Sequence, residues 1–294
     1  MKGLVIRLVS QFCDVKVNEI IYRCKYRGLM RQKTQQVVVG DYVEIKVIDS
    51  IENTGLVLNI YPRKNQLLRP LVSNIDQVII VSALKSPNFS SFLLNKYLIW
   101  IEAHKLDVIL VFTKKDLINK NDNVWEKINV YKSLGYSIFV LSKLIIDEQW
   151  NLFRNIITNK ISILSGQSGA GKSSILNILA PNLNLRTQEI SQVLNKGKHT
   201  TTHNELMDFD NIKIIDSPGF SAFSLDDLTI NQIAIALPCF ATFSINCKFK
   251  QCSHIQEPNC AVKLAVSNKK IANFIYEDYL KIINQYKFNE KRNK

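Results

Sequence analysis

The residues with the clearest chemical pattern lie in GQSGAGKS, residues 166–173. This octapeptide fits G-x-x-x-x-G-K-[ST], follows an apolar strand pattern and opens a helical one, so an ordinary glycine-rich turn is the weaker interpretation. Its glycines let backbone N–H groups approach phosphates, and the helix N-terminus adds the positive end of its dipole. We expect Lys172 to contact the β- and γ-phosphates and the Ser173 hydroxyl to bind Mg²⁺. The predicted phosphate-binding set is Gly166, Gln167, Ser168, Gly169, Ala170, Gly171, Lys172, Ser173 and Ser174.

A second element of a nucleotide site follows at Asp216-Ser-Pro-Gly219, directly after the apolar run IKII. This position places Asp216 at the carboxyl end of a strand, where open α/β sheets bind their ligands. We expect Asp216 to hold Mg²⁺ through water and the Gly219 N–H to sense a γ-phosphate. The tetrapeptide alone would also describe a generic turn, and its place after the phosphate loop is what makes it informative.

Between these two motifs lies GKHTTTHNEL, residues 197–206, a polar segment with three threonines. A threonine in such a loop can close over Mg²⁺ and the γ-phosphate and be released after hydrolysis. We favour Thr202 for this role over Thr200 and Thr201. A plain polar loop is the alternative interpretation.

The residues that distinguish one base from another lie upstream, at Thr113-Lys-Lys-Asp116, after the apolar run DVILVF. Guanine presents two adjacent donors, N1–H and the N2 amino group, and one carboxylate can accept both. Adenine lacks this pair and would leave Asp116 unpaired, a loss that enforces strong discrimination. The stem of Lys114 can cover the base plane, and Ser142 can lie near the base after the next strand. The predicted base-contacting set is Thr113, Lys114, Lys115, Asp116 and Ser142.

Four potential metal ligands lie close together in Cys247-x4-Cys252-x-His254-x5-Cys260. Three thiolates and one imidazole at this spacing are typical of a closed structural zinc site, which leaves no position open for catalysis. A disulfide or a set of free buried cysteines is the alternative, but clustered cysteines in a reducing compartment and the intervening His favour metal. The remaining thiols are predicted to lie in the core: Cys13, Cys24 and Cys239.

The elements that must position these residues fall into three predicted regions. Residues 1–68 contain short strand patterns and no helical period, which suits a small barrel such as an OB-fold or an SH3-like barrel. Residues 69–227 alternate buried strand patterns with helical ones, as in a doubly wound α/β sheet. Residues 228–294 are mostly helical around the cysteines and end in the basic tail KFNEKRNK, which we expect to be frayed.

Composition narrows the class of protein. The 294 residues carry a formal charge of +13, which indicates an anionic partner such as nucleic acid, although biased genome composition also produces an excess of lysine. No apolar run reaches the roughly 20 residues of a membrane span, and the N-terminus lacks the pattern of a secretory signal. We therefore expect a cytoplasmic protein without a membrane partner, and a monomer by default.

The motifs occur in an unusual order: base-reading residues, phosphate loop, threonine segment and DxPG. This order is a circular permutation of the usual GTPase order, and the chain resembles the RsgA family of circularly permuted GTPases. The resemblance rests on VGDYV, PRKNQLLRP, NIDQVIIV, TKKD, GQSGAGKSS, GKHTTTH, DSPGF and the Cys/His cluster. The chain departs from the common pattern at Thr113, which replaces Asn, and at VLSK, which replaces the commoner SA. Both departures are expected to lower guanine affinity without changing specificity.

The resemblance implies a multidomain α/β protein with an N-terminal OB-fold RNA-binding domain, a central circularly permuted P-loop GTPase domain and a C-terminal helical zinc-binding domain. It further implies a GTPase that binds the 30S ribosomal subunit and 16S rRNA and acts late in subunit maturation. GTP would be hydrolysed to GDP and phosphate when the subunit stimulates the reaction. The implied cofactors are one structural Zn²⁺ per chain and a Mg²⁺ held with GTP by Ser173 and Asp216.

The group that aligns the attacking water is less evident. Many GTPases carry a glutamine two residues after DxPG, but Ser221 stands there, so we expect slow turnover without the ribosome. His199 is the candidate, His203 the second choice, and a solvated loop histidine the alternative. The predicted catalytic set is therefore His199, Lys172 and Thr202. An ATP-using P-loop enzyme and a non-catalytic RNA-binding protein are the competing functions.

Overall fold

The computed structural model describes residues 1–26, 36–181, 205–216 and 225–292. The chain divides into two compact units. The first consists of the described residues within Met1–Ile79, Asp147–Gly166 and Lys172–Ser221. The second consists of those within Ile80–Ile146, Gln167–Gly171 and Ala222–Lys294.

Strands and helices are numbered in chain order over these described residues. The strands are β1 (Lys2–Val9), β2 (Phe12–Val17), β3 (Ile20–Lys25), β4 (Tyr42–Asp49), β5 (Thr54–Ile60), β6 (Gln66–Leu68), β7 (Leu71–Ser73), β8 (Gln77–Ala83), β9 (Asp107–Thr113), β10 (Ser137–Val140), β11 (Ile161–Gly166), β12 (Glu205–Phe209) and β13 (Ile212–Asp216). The helices are α1 (Ser91–Ala103), α2 (Val124–Ser133), α3 (Glu148–Ile157), α4 (Lys172–Leu179), α5 (Ile230–Ile235), α6 (Pro238–Ser244), α7 (Ala261–Ser267) and α8 (Asn273–Arg292).

The first unit begins with a closed barrel of strands β1 to β5. Strand β1 pairs antiparallel with β2 and with β4, β2 pairs with β3, β4 pairs with β5, and a parallel β3–β5 pairing completes the ring. Alternate residues of these strands point inward, and the barrel core contains Val5, Val15, Val43, Ile45 and Val57. The predicted N-terminal barrel is confirmed.

A buried carboxylate fastens the segment that leaves the barrel. Asp41 is 0% exposed and accepts hydrogen bonds from Arg63 Nε at 2.6 Å, from Arg63 Nη2 at 2.7 Å and from the Ser73 hydroxyl at 2.7 Å. Gly40 has a φ of +92°, and a Cβ there would lie 2.1 Å from the Ser73 carbonyl oxygen, so only glycine fits. The VGD and PRKN sequences therefore meet in space and fix the exit from the barrel.

The first unit also contains the strand that leads into the phosphate loop. Strand β11 is buried along its whole length and pairs parallel with β13, which pairs antiparallel with β12. Strand β12 in turn pairs with β1 of the barrel. The sequence patterns placed Glu205 and Leu206 in a loop, and this expectation is wrong, because β12 is stabilised by its pairing with both neighbours and not by a local pattern.

The second unit combines the end of β8 with β9, β10 and six helices of the described chain. Strands β9 and β10 pair in parallel, as predicted. Helices α1, α2 and α8 are joined by a buried network, in which the Tyr131 hydroxyl donates to Asn95 Oδ1 at 2.9 Å and Asn95 Nδ2 donates to Asp278 at 3.0 Å. Helix α8 continues through Arg292, so the tail that was expected to be frayed is helical to that residue. None of the described helices combines the length and apolarity needed to cross a bilayer.

Candidate functional site

The first unit positions Lys172 of the phosphate-loop motif and Asp216 of the DxPG motif. Strand β11 ends at Gly166, helix α4 begins at Lys172, and Lys172 Nζ donates to the Gly166 carbonyl at 2.7 Å. Burial lowers the pKa of Lys172, and the nearby Asp216 only partly offsets this effect. Burial likewise raises the pKa of Asp216, with a smaller opposing effect of Lys172. A polyanion bound beside Lys172 and a cation bound beside Asp216 would each stabilise the charged form that burial disfavours.

The second unit contains the turn of the loop, residues 167–171. The Ala170 N–H donates to the Gln167 carbonyl at 3.1 Å, and Gly169 and Gly171 have φ values of +74° and +101°. A Cβ at Gly171 would lie 3.5 Å from Thr113 Oγ1, which is an ordinary contact distance. Glycine is required at this position because of its positive φ, and not because of a lack of space. The turn exposes the side chains of Gln167 and Ser168 and the backbone around Gly169.

Two residues of the TKKD tetrapeptide hold this turn directly. The Thr113 hydroxyl donates to the Ala170 carbonyl at 2.5 Å, and Lys114 Nζ donates to the Gly169 carbonyl at 2.8 Å. Lys114 also donates to the Ser86 carbonyl. Ser86 has no signal in the amino-acid sequence, because its contact is made by a backbone oxygen and does not depend on its side chain. The structure thus brings Thr113 and Lys114 together with the loop, as the motif required.

The carboxylate at the end of the tetrapeptide is oriented by a buried hydroxyl. Ser142 is 1% exposed, and its Oγ donates to Asp116 Oδ1 at 2.5 Å. Ser142 Oγ also accepts a hydrogen bond from the Leu144 N–H at 3.1 Å. This second bond fixes the direction in which the Ser142 hydroxyl proton points. Asp116 itself is exposed and lies within a single 3₁₀ turn, Lys115–Leu117. Ser142 therefore holds one carboxylate oxygen of Asp116 in place, while the rest of this side chain remains accessible to a ligand.

Removing the Ser142 hydroxyl tests this arrangement. We expect Ser142→Ala to weaken guanine-nucleotide binding about 5- to 10-fold, since it removes one hydrogen bond to a charged acceptor. The measurement is the dissociation constant for GDP by isothermal titration calorimetry, with Ser137→Ala as the matched change at an exposed position of β10. Equal GDP affinity in wild type and Ser142→Ala would show that the hydroxyl does not position the carboxylate.

The four predicted metal ligands form one cluster in the second unit. The ligand atoms of Cys247, Cys252, His254 and Cys260 all lie within 4.8 Å of one another, so the group could hold a metal ion. Cys247 Sγ lies 3.9 Å from Cys260 Sγ and 3.7 Å from His254 Nδ1. A tetrahedral ion with metal–sulfur bonds of about 2.3 Å would separate two sulfurs by about 3.8 Å. The donor set therefore fits a tetrahedral ion.

The groups around the cluster keep its imidazole neutral and hold the backbone that presents the four side chains. Burial raises the pKa of Cys252 to about 12, so this thiol would be ionised at neutral pH only with a bound cation beside it. Burial lowers the pKa of His254, which keeps the imidazole neutral as a ligand must be. The Tyr276 and Tyr279 hydroxyls of α8 donate to the carbonyls of His254 and Ser253, at 2.8 and 2.6 Å. Helix α8 therefore holds the backbone that presents the ligands.

Glu257 stabilises the loop around His254 through charge-assisted hydrogen bonds. Its carboxylate accepts from the Ser253 N–H and hydroxyl at 2.6 and 2.7 Å and from the Ile255 N–H at 2.9 Å. Burial alone would raise the pKa of Glu257, but these bonds lower it to about 2. The carboxylate is therefore fully ionised at neutral pH.

Neutralising this carboxylate should loosen the loop. We expect Glu257→Gln to lower the free energy of unfolding by about 1–2 kcal/mol, because each bond to the charged acceptor becomes weaker or is lost. Urea denaturation at pH 7 measures the change. Glu277→Gln removes the same charge at an exposed position of α8 and should leave the stability within about 0.5 kcal/mol of wild type.

The other predicted residues divide into two groups. Cys13, Cys24 and Cys239 are buried free thiols, as predicted, and burial raises the pKa of Cys24 and of Cys239 to about 11. Several predicted residues lie outside the described part of the chain: His199, Thr200, Thr201, Thr202, His203 and Gly219.

Comparison with known proteins agrees with this geometry. A family model described as the RsgA N-terminal domain matches residues 2–57, and one described as the RsgA GTPase matches residues 60–226. The structure of YjeQ from Thermotoga maritima superposes with a TM-score of 0.82 at 33% identity, covering 97% of this chain and 98% of that one. The structure of YloQ, described as a circularly permuted GTPase, has a TM-score of 0.80 at 29% identity, covering 98% and 95%.

Relatives of known name cover almost the whole chain. The small ribosomal subunit biogenesis GTPase RsgA of Limosilactobacillus reuteri is 41% identical over 95% of this chain and 94% of that protein. The protein of the same name from Shouchella clausii is 36% identical over 99% of both.

A barrel, a base motif that precedes its phosphate loop in the chain, and a helical region with a Cys/His cluster define a circularly permuted P-loop GTPase. The predicted fold class is confirmed. This chain belongs to the RsgA GTPase family.

Proposed function

We propose that this chain hydrolyses GTP to GDP and phosphate in response to the small ribosomal subunit, during late maturation of that subunit. One observation supports the proposed specificity for guanine. Thr113 and Lys114 hydrogen-bond the TKKD tetrapeptide to the turn of the phosphate loop, and Ser142 orients the Asp116 carboxylate. The relatives named above, which are small ribosomal subunit biogenesis GTPases, support the ribosomal part.

Each group of residues has a distinct proposed role toward GTP. Asp116 accepts the two guanine donors, and Ser142 keeps its carboxylate in place. Thr113 and Lys114 keep the turn in the conformation that exposes its backbone N–H groups, and Lys115 contributes as a neighbour of the base. The phosphates are contacted by the remaining predicted set: Gly166, Gln167, Ser168, Gly169, Ala170, Gly171, Lys172, Ser173 and Ser174.

The proposed cofactors follow from the donor chemistry. Oxygen ligands suit Mg²⁺, and we assign Ser173 and Asp216 to it together with the nucleotide phosphates. When bound, Mg²⁺ supplies charge neutralisation at the phosphates. Three thiolates and one imidazole suit a single structural Zn²⁺ at Cys247, Cys252, His254 and Cys260.

The partners and the division of labour along the chain are part of the same proposal. The charge of +13 supports contact with 16S rRNA, and a ribosomal partner implies a cytoplasmic location. We assign RNA binding to residues 1–68, nucleotide chemistry to 69–227 and zinc binding to 228–294, with a monomer as the working form. His199 is proposed to orient the attacking water, with His203 as the second candidate, and Thr202 and Gly219 to contact the Mg²⁺–phosphate end of GTP.

The deciding experiment measures GTP turnover with and without purified small ribosomal subunits, at stated salt. We expect slow turnover alone and a rise of at least about 10-fold with subunits, and excess ATP should not compete. Competition by ATP would favour the ATP-using alternative. GTP turnover that stays at the background rate both with and without subunits would favour a non-catalytic role. Replacement of His199 by Ala should lower the stimulated rate without changing GTP affinity.

A further inference from the structure

Strand β12 lies between the barrel and β13, the strand that ends at Asp216. It pairs with β13 along its whole length, from Glu205 opposite Asp216 to Phe209 opposite Ile212. Its pairing with β1 of the barrel has a single register position in the part of the chain that the structure describes, with Arg7 opposite Glu205. Backbone pairing is therefore extensive within the β12–β13 hairpin and limited between the hairpin and the barrel.

Two ion pairs supplement this limited backbone pairing. Lys16 Nζ of β2 lies 3.3 Å from Asp208 Oδ2 of β12, and these side chains are only 16% and 14% exposed. Arg7 Nη1 lies 4.0 Å from Glu205 Oε1 in a pair that is 41% and 58% exposed. An ion pair largely shielded from water is screened less by salt, and removing one partner leaves a charge that burial disfavours. Lys16–Asp208 is therefore the stronger contact. We refer to these four residues as the barrel seam.

Arg7 connects the barrel seam with the neighbouring strands of the barrel. Its Nε and Nη2 lie 2.8 and 2.6 Å from Asp14 Oδ2, and Arg23 Nε lies 2.9 Å from Asp14 Oδ1. Burial alone would raise the pKa of Asp14, but the hydrogen bonds from Arg23 and Arg7 lower it, so the carboxylate is charged at neutral pH. One guanidinium group is thus shared between the barrel and β12. A change at Asp14 or Arg23 therefore alters the contact of Arg7 with Glu205.

The turn of the β12–β13 hairpin is held separately from the barrel. Arg154 Nη2 of α3 lies 2.7 Å from Asp210 Oδ2 in this turn. The Asn159 N–H, just before β11, donates to the Asn211 carbonyl at 2.7 Å. Because the turn is fixed there, a shift of β12 along the barrel moves the opposite end of the hairpin. That end carries Asp216, the residue assigned to Mg²⁺ above.

We propose that the barrel seam couples the barrel to the cation and phosphate end of the nucleotide site, with Lys16 and Asp208 as positioning residues. With the seam intact, the hairpin holds Asp216 in the place that a bound nucleoside triphosphate requires. The inference rests on the nucleotide role proposed above. Coupling between two sites is reciprocal, so the nucleotide must change the barrel as much as a ligand of the barrel changes the nucleotide site.

Amide hydrogen exchange on the full-length protein, followed by mass spectrometry, tests this coupling without ribosomal subunits. The protein is compared with GDP and with a non-hydrolysable GTP analogue, both with Mg²⁺. In wild type we expect the analogue to slow exchange in β1 and β12 by about 5-fold relative to GDP, the lower range of such coupling. Lys16→Met, which keeps the apolar stem without the charge, and Asp208→Asn should each abolish this difference. Lys16→Arg keeps the charge and should retain it.

The double variant and a matched control separate coupling from a general loss of stability. Lys16→Met with Asp208→Asn should behave like either single variant, because residues that act as one pair are not additive. Glu19 Oε2 lies 3.6 Å from Lys16 Nζ on the solvent side, with its side chain 93% exposed. Glu19→Gln therefore removes the other carboxylate near Lys16 and should exchange like wild type.

Subunit-stimulated GTP turnover is measured on the same proteins. At saturating subunits we expect Lys16→Met and Asp208→Asn to lower the rate about 5- to 10-fold, with the dissociation constant for GDP and the half-saturating subunit concentration within about 2-fold of wild type. Lys16→Arg should be stimulated like wild type. A purely structural defect would change all three quantities together and would not be rescued by arginine.

Equal exchange of β1 with both nucleotides in wild type would overturn the proposal. Retention of the wild-type difference by Lys16→Met and Asp208→Asn, or additive losses in the double variant, would overturn it as well. If wild-type turnover does not respond to subunits while the exchange difference is present and depends on the pair, the ribosomal role falls and the coupling stands. If turnover is stimulated equally in wild type and in variants with unchanged exchange, the coupling falls and the proposed GTPase function stands.

Discussion

Replacing Asp116 with Asn is expected to weaken GTP binding by at least about 100-fold and to create affinity for xanthosine triphosphate. The carboxylate offers acceptors to both guanine donors, and each charged hydrogen bond contributes about 1.5–3 kcal/mol. An asparagine places an N–H group opposite the N2 amino group, where two donors meet. Xanthine carries a carbonyl oxygen at that position, so the amide can donate to it. The base preference should therefore change while the phosphate contacts stay the same.

The measurement is a set of dissociation constants for GDP, XDP and ADP on wild type and Asp116→Asn. Asp107→Asn is the matched control, because it removes the same charge at an exposed position in the same unit. ADP should bind poorly to all three proteins. Retention of wild-type GDP affinity by Asp116→Asn would rule out this carboxylate as the group that reads the base.

Replacing Cys252 with Ser is expected to remove the metal and unfold the loop that carries its ligands. Structural zinc contributes about 10–16 kcal/mol to the folding of small zinc modules, far more than any one hydrogen bond in this region. Cys252 is buried, and serine would leave the ion with three protein ligands. Elemental analysis of wild type should give one zinc per chain, and the variant should give close to none. Its C-terminal region should also become sensitive to protease.

Cys239→Ala is the matched control for this experiment. Cys239 is a buried thiol on α6 that lies outside the ligand cluster, so its replacement should keep one zinc per chain. A full complement of zinc in Cys252→Ser would show that zinc binding does not depend on this cluster. Loss of zinc in both variants would indicate a general folding defect and would be separated from the specific effect by circular dichroism.

Loss of the metal should also destabilise helix α8. The Tyr276 and Tyr279 hydroxyls of this helix hold carbonyls of the ligand loop. The same helix donates from the Tyr286 hydroxyl to the Leu228 carbonyl at 2.7 Å. Leu228 lies shortly after the DxPG motif in the chain. One helix thus supports both the loop of predicted metal ligands and the backbone at Leu228.

Much of the site follows from local patterns. The phosphate loop, the TKKD tetrapeptide and the Cys/His cluster combine particular residue types at fixed spacing, and such combinations constrain chemistry wherever the chain folds. Apolar runs located β9 and β11, because strands buried on both faces are apolar along their length. The amino-acid sequence alone therefore predicted the barrel, the permuted order of motifs and the grouping of the four Cys and His side chains.

The tertiary structure decided what depends on residues distant in the chain. The bond from Lys114 to the Ser86 carbonyl, the burial of Asp41 under Arg63 and the pairing of β12 with β1 leave no local signal. The same holds for a row of charges on the barrel, where strand register aligns Arg7, Asp14 and Arg23. Backbone carbonyls, edge pairings and register are set by the competition among all possible partners, and that competition is resolved only when the whole chain is packed.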